Sequence, residues 1–174
     1  KRSFKSPLIL ISSIEIFKTQ AKRFKFKKKT RLITLNNLNE LKINNNSINI
    51  IDITKSKDYL EDCFDTAFKI LKKGFTDKFI NGPIGKTNFL KKKYLGMTEY
   101  ISKKFKTKNV AMLIFNKDLS VCPLTTHLPL KLVTKNINKK LIFEKASLIS
   151  KFYIKNLGYK PKIAVTGLNP HCES

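Results

Sequence analysis

The chain is short of the residues from which several common protein classes are built. Its three cysteines, Cys63, Cys122 and Cys172, are odd in number and show no Cys-x-x-Cys spacing. That argues against a disulfide framework and a structural zinc knuckle, and fits a reducing cytoplasm. Acidic residues number 12 against 36 basic ones, yet only Arg2, Arg23 and Arg31 are arginines. Bidentate recognition of phosphates and base edges favours arginine. The net charge of +24 therefore reads as a solvated lysine surface, in a chain also rich in Asn and Ile as AT-rich coding favours, with no nucleic-acid partner expected. No run approaches the roughly twenty apolar residues of a membrane span, so no membrane partner is expected. Pro7 to Ile11 follows basic residues but has neither the length nor the small-residue cleavage site of a signal peptide, and reads as a buried strand. A GxGxxG turn and a Walker loop are both absent, so a dinucleotide would not be held by the usual Rossmann fingerprint.

What is present describes a globular α/β protein. With 174 residues, 41% of them apolar and 13 of them Phe, the chain has the material for a packed core. It begins at Lys1 rather than Met and stops just after His171, and is expected to be an internal fragment. Short apolar runs alternate with amphipathic stretches, the pattern of a mostly parallel sheet with flanking helices, here incomplete at both ends. Strands are predicted at 7–11, 31–35, 48–53, 79–80, 110–115, 119–124 and 162–166. The helices are predicted at 13–25, 57–73, from Thr98 through Lys104, and 141–157, with the Asn-rich 36–46 as a loop. In the second helix Leu60, Phe64, Ala67, Phe68 and Leu71 share a face, Asp58 and Glu61 sit in the first turn, and Gly74 follows as a stop signal. Gly158 closes the long last helix in the same way.

The only two histidines, His127 and His171, each fall at the end of an expected strand, where α/β folds place their chemistry. Neutral imidazoles suit zinc and other divalent ions. Two ligands do not complete a catalytic metal centre, which usually takes three from protein. Thr125 and Thr126 before His127, and Asn169-Pro170 before His171, have the hydroxyl, amide and rigid-turn chemistry to orient imidazoles. The loop Asn81-Gly82-Pro83-Ile84-Gly85-Lys86 combines backbone freedom with a cation, which suits an anionic ligand; its bland alternative is a strand-to-helix turn with an exposed Lys86. In Gly96-Met97-Thr98-Glu99-Tyr100 a hydroxyl and a carboxylate stand at a helix start, where Thr98 serves equally as an N-cap. Cys172 is read as a small buried residue rather than a soft ligand.

Taken in order, Asn81 to Lys86, Gly96 to Tyr100, Thr125-Thr126-His127-Leu128-Pro129-Leu130 and Ala164-Val165-Thr166-Gly167-Leu168-Asn169-Pro170-His171 resemble the 4-hydroxythreonine-4-phosphate dehydrogenases of vitamin B6 biosynthesis. The resemblance is weak before Asn81 and strong after it. It implies an isocitrate/isopropylmalate dehydrogenase-like α/β fold and a two-domain subunit of which residues 1–174 are a partial catalytic chain. It also implies a homodimer that shares its metal site across subunits, NAD or NADP as cofactor, and a divalent metal such as zinc, magnesium or cobalt. His127 and His171 then correspond to two of three metal-ligand histidines, and Thr98 to a substrate-binding threonine. Lys86 and Asn169 are candidates for the phosphate or cofactor loops. Met97 stands where the family has a histidine that contacts substrate, which puts substrate identity in question.

The activity so implied is NAD-dependent, metal-dependent oxidation of 4-phosphooxy-L-threonine, followed by decarboxylation to 3-amino-2-oxopropyl phosphate. A second expectation is a same-family oxidative decarboxylase of a related phosphorylated hydroxy acid, such as a threonate or erythronate phosphate. More distant ones are a basic nucleic-acid-binding module and an inactive truncated protein.

Overall fold

The structure is a computed structural model that describes residues 6–85, 89–90 and 94–169. The chain divides into two compact units, Lys1–Gly85 and Lys86–Ser174.

The first unit is built on a three-stranded sheet, β1 (Ile9–Ser12), β2 (Thr30–Leu32) and β3 (Ile48–Asp52), in the order β1-β3-β2 with both pairings parallel. The last strand in sequence lies in the centre, so β3 is covered on both sides: Asn49, Ile50 and Ile51 are buried. β1 and β2 are joined through α1 (Ile14–Arg23), as a parallel connection requires. Ser13 caps that helix by accepting the Ile16 N–H, and Asp52 at the end of β3 accepts the Ile14 N–H at 2.8 Å, tying the helix start to the central strand.

The Asn-rich segment is the loop its composition predicts, and it also contributes to the core. Leu38 packs with Ile33, Ile51 and Ile70, with Leu35, Leu41 and Ile43 against them. Its asparagines stand in for backbone partners: Asn37 accepts the Thr34 N–H, and Asn45 accepts the Leu8 N–H while donating to the Ser6 carbonyl. α2 (Tyr59–Lys72) presents Phe64, Ala67 and Phe68 inward as its periodicity predicts. Thr66 and Ile70 complete the buried set, and Leu60 is left exposed. Gly74 follows at φ 73°, the left-handed stop expected of it.

The second unit is predominantly helical: α3 (Met97–Lys104), α4 (Leu130–Asn136) and α5 (Lys139–Leu157). Asn138 caps α5 by accepting the Leu141 N–H at 2.9 Å, and Gly158 closes it at φ 79°. Tyr100 is buried between the rings of Phe89 and Tyr94. Tyr153 of α5 donates its hydroxyl to Ser120 Oγ at 2.8 Å and meets the ring of Phe115. The Lys145 ammonium reaches the Val110 carbonyl.

Four predicted strands are not strands. Residues 79–80, 110–115, 119–124 and 162–166 contain no ladder; the second and third meet only at an isolated antiparallel bridge, Ile114 with Val121. Apolar periodicity reports surface that favours burial, whereas a strand also needs a second segment to take its N–H and C=O groups. Phe79 instead docks its ring on Phe64 and Phe68 at 5.6 and 5.9 Å. Val121, Ile163 and Val165 remain exposed. Two further corrections concern helices. α3 begins one residue earlier than predicted, with Gly96 as its N-cap, so Thr98 lies within the first turn and caps nothing. α4 went unpredicted because seven residues are too few to establish a 3.6-residue period.

Candidate functional site

The site centres on the start of α3. Gly96 is extended, at φ −163°, and buried. Behind it Met97, Thr98 and Glu99 form the first helical turn and are half-buried. A carboxylate at the third helical position is favoured by the partial positive charge of the free N–H groups there. Glu99 goes further, because its carboxylate turns toward the loop Thr125-Thr126-His127. Thr126 donates its hydroxyl to Glu99 Oε1 at 3.3 Å. The other oxygen, Oε2, is buried without a hydrogen-bond partner.

His127 lies in this loop rather than at the end of a strand, because residues 119–124 form none. Its backbone is left-handed, φ 56°, a conformation that non-glycine residues adopt at a cost and that clusters at functional sites. The imidazole comes down over Gly96. A Cβ built on Gly96 would stand 2.8 Å from Glu99 Oε2, 3.1 Å from His127 Nε2 and 3.6 Å from His127 Cδ2. The hydrogen of Gly96 is thus what allows carboxylate and imidazole to occupy the same corner.

The remaining candidates are less concentrated. In the Asn81–Gly85 loop, Asn81 donates to the Gly82 carbonyl at 3.2 Å, and a Cβ on Gly82 or Gly85 would meet open space, so neither glycine is required by crowding. Lys86, His171 and Cys172 lie outside the described residues. Asn169 is exposed and belongs to no strand. Among the described residues no three His, Cys, Asp or Glu side chains are grouped to hold a metal. What fits a divalent cation is the chemistry of the corner itself: an exposed imidazole beside a buried carboxylate oxygen without a partner.

Sequence reasoning brought Met97, Thr98, Glu99, Thr126 and His127 onto the page in two separate motifs, and the structure joins them. It missed that Glu99 is the joint. The sequence shows only that Gly96 lacks the side-chain half of a capping box, which does not say which element the Glu99 carboxylate serves. The two thiols within the described residues are not activated. Burial pushes both Cys63 and Cys122 above the ordinary thiol range, against the partly offsetting hydrogen bond of Tyr59 for the first and the charge of Lys145 for the second.

The family model described as pyridoxal phosphate biosynthetic protein PdxA matches residues 4–174. A 4-hydroxythreonine-4-phosphate dehydrogenase of Aquifex aeolicus (strain VF5) is 42% identical over 78 residues, 45% of this chain and 24% of that protein. One from Neisseria meningitidis serogroup A is 38% identical over 127 residues, 65% of this chain and 36% of that protein. The crystal structure of 4-hydroxythreonine-4-phosphate dehydrogenase from Klebsiella pneumoniae matches with a TM-score of 0.74 at 22% identity, over 96% of this chain and 56% of that one. A second solved structure, from Salmonella typhimurium, gives a TM-score of 0.78 at 23% identity, over 96% and 57%. At these identities the structures establish shared fold. The aligned segment accounts for about a quarter to a third of the curated relatives, and the chain for little more than half of the solved ones.

Proposed function

This chain belongs to the PdxA family of pyridoxal phosphate biosynthetic proteins, and from that premise we propose that the complete protein is a 4-hydroxythreonine-4-phosphate dehydrogenase. It oxidises the secondary hydroxyl of 4-phosphooxy-L-threonine by hydride transfer to NAD or NADP, with release of the hydroxyl proton. The resulting β-keto acid loses carbon dioxide to give 3-amino-2-oxopropyl phosphate. The observation that carries the reading is the meeting of two family-like motifs, Gly96 to Glu99 and Thr126-His127, at one corner.

In this reading His127 and His171 are the residues that hold a divalent cation, with a third ligand outside this chain. A cation bound there supplies positive charge toward the oxygen of the substrate hydroxyl and of the carbonyl it becomes. The chain's own contribution is placement. His127 turns through a left-handed backbone, and its imidazole lies where a Cβ on Gly96 would crowd it. Thr98, in the first turn of α3, has a hydroxyl to donate to or accept from the substrate. Met97 offers no strong donor and no charge. Lys86 and Asn169 remain candidates for phosphate or cofactor contact. The isocitrate/isopropylmalate dehydrogenase-like fold, the two-domain subunit, the homodimer with a shared metal site and the cytoplasmic setting belong to the same proposal. No helix of the described residues is long and apolar enough to cross a membrane.

Met97 favours one second reading, in which the substrate is a related phosphorylated hydroxy acid without the amine, such as a threonate or erythronate phosphate. The test is NADH formation by the full-length protein from 4-phosphooxy-L-threonine and from 4-phosphooxy-threonate, with and without a chelator. Chelator-sensitive turnover of the amino acid supports the first reading. Turnover of the amine-free acid alone transfers the assignment to the second, and a folded, metal-loaded protein active on neither overturns both.

A further inference from the structure

We propose that Glu99 is a positioning residue for His127: its carboxylate, anchored by Thr126 beneath the Gly96 hydrogen, fixes the imidazole in the orientation that binds the cation. The proposal rests on the reading of His127 as a metal ligand and adds a residue to it.

A helix-start role does not account for Glu99. As a third-position carboxylate it would complement the helix dipole equally well from solvent. In a capping box it would reach back to the N–H of the cap residue. Oε2 does neither; it is buried and unpartnered. Removing a carboxylate oxygen from water without giving it a hydrogen bond is costly, so such an atom calls for a partner that forms when the site is complete. The imidazole carries a polar atom at the same corner, since a Cβ built on Gly96 would stand 2.8 Å from Oε2 and 3.1 Å from His127 Nε2. A carboxylate beside one ring nitrogen accepts its N–H and sets the tautomer, so the other nitrogen keeps its lone pair for a cation.

Thr126 makes the arrangement specific. It donates to Oε1 from the residue preceding His127, so the carboxylate is held by the loop that carries the imidazole it faces. His127 itself takes a left-handed backbone, φ 56°, in the same loop. A side chain at position 96 would occupy the place where the two groups approach, which is a reason for glycine there beyond backbone freedom.

The test uses the full-length protein with cobalt(II) as the probe, reading the dissociation constant by competition with a chelator and the cobalt d–d absorption spectrum. Glu99→Gln is expected to weaken cobalt binding roughly 10- to 100-fold and to change the spectrum while the thermal midpoint stays near that of the parent. Gly96→Ala is expected to act in the same direction by pushing carboxylate and imidazole apart. Thr126→Val, which removes only the anchoring hydroxyl, should give a smaller loss and covers the case in which Glu99→Gln does not fold. His127→Ala separates the two layers of the argument. Parental cobalt affinity in His127→Ala overturns the metal reading itself. Loss of cobalt in His127→Ala, together with parental affinity and spectrum in Thr126→Val and in the folded Glu99 variant, overturns the positioning role alone.

Discussion

The hydroxyl of Tyr59, in the first turn of α2, accepts the Ser13 backbone N–H at 2.8 Å and lies 3.0 Å from Ser12 Oγ, joining α2 to the junction of β1 and α1. Ser13 is buried, so its N–H has no access to replacement water. Tyr59→Phe keeps the ring and removes the acceptor. It should cost about 1–2 kcal/mol, read as a lower urea midpoint with unchanged slope.

Asn49 holds the centre of the sheet in a comparable way. Its side-chain amide donates to the carbonyls of Leu8 at 3.0 Å and Asn44 at 2.8 Å, and the residue is 1% exposed. Asn49→Asp has nearly the same shape but sets a carboxylate against two carbonyls. A loss on the order of 3 kcal/mol is expected at neutral pH, smaller at a pH low enough to keep the acid protonated.

Gly158 isolates a purely conformational cost. A Cβ there would meet nothing within 4 Å, but φ is 79°. Gly158→Ala should therefore lower stability by about 1 kcal/mol. Gly82→Ala, equally uncrowded and without a left-handed φ, should change it by less than about 0.5 kcal/mol. Thermal unfolding of the two variants side by side makes the comparison.

The Cys63 thiol is raised first by burial and further by Asp62, with the Tyr59 hydrogen bond working the other way. Its alkylation by iodoacetamide, followed residue by residue by mass spectrometry, should reach half-maximal rate at higher pH in the folded protein than in urea. Tyr59→Phe should move that midpoint further up. Because the folded value exceeds the unfolded one, the thiol's contribution to stability is present at neutral pH and is lost as pH rises through the interval between them.

Met97 is the position at which substrate preference is expected to be set. If the proposed activity holds, Met97→His in the full-length protein adds a donor beside Thr98 and should raise kcat/KM for 4-phosphooxy-L-threonine about tenfold, the worth of one hydrogen bond of about 1.4 kcal/mol. Unchanged kcat/KM for that substrate would count against a contact at this position, and a reduced value would count against a hydrogen bond there.

The elements legible in the sequence were those whose signals are local. α2 and α5 carry long apolar periods, an acidic first turn in the former, and glycines just past their ends, and they form close to the predicted limits. The first strands are short apolar runs bounded by turn residues, and they pair as expected. Residues 110–115 and 162–166 carry the same kind of apolar run and form no ladder, because strand pairing is a property of two segments and a sequence pattern describes one. The buried role of Leu38 was equally hidden, since its neighbours are asparagines and its partners lie on other elements.

The sequence by itself determined the charge class, the lack of a GxGxxG turn and of a Walker loop, and the main helices, and it supplied the candidate site residues as expectations. Each of these depends on residue type and on spacings of a few positions. Tertiary structure alone decided that β3 enters between β1 and β2, that His127 turns through a left-handed backbone, and that Glu99 joins it over Gly96. Those outcomes depend on which distant groups come within a few ångströms, and above all on a buried carboxylate oxygen whose missing partner only the fold makes visible.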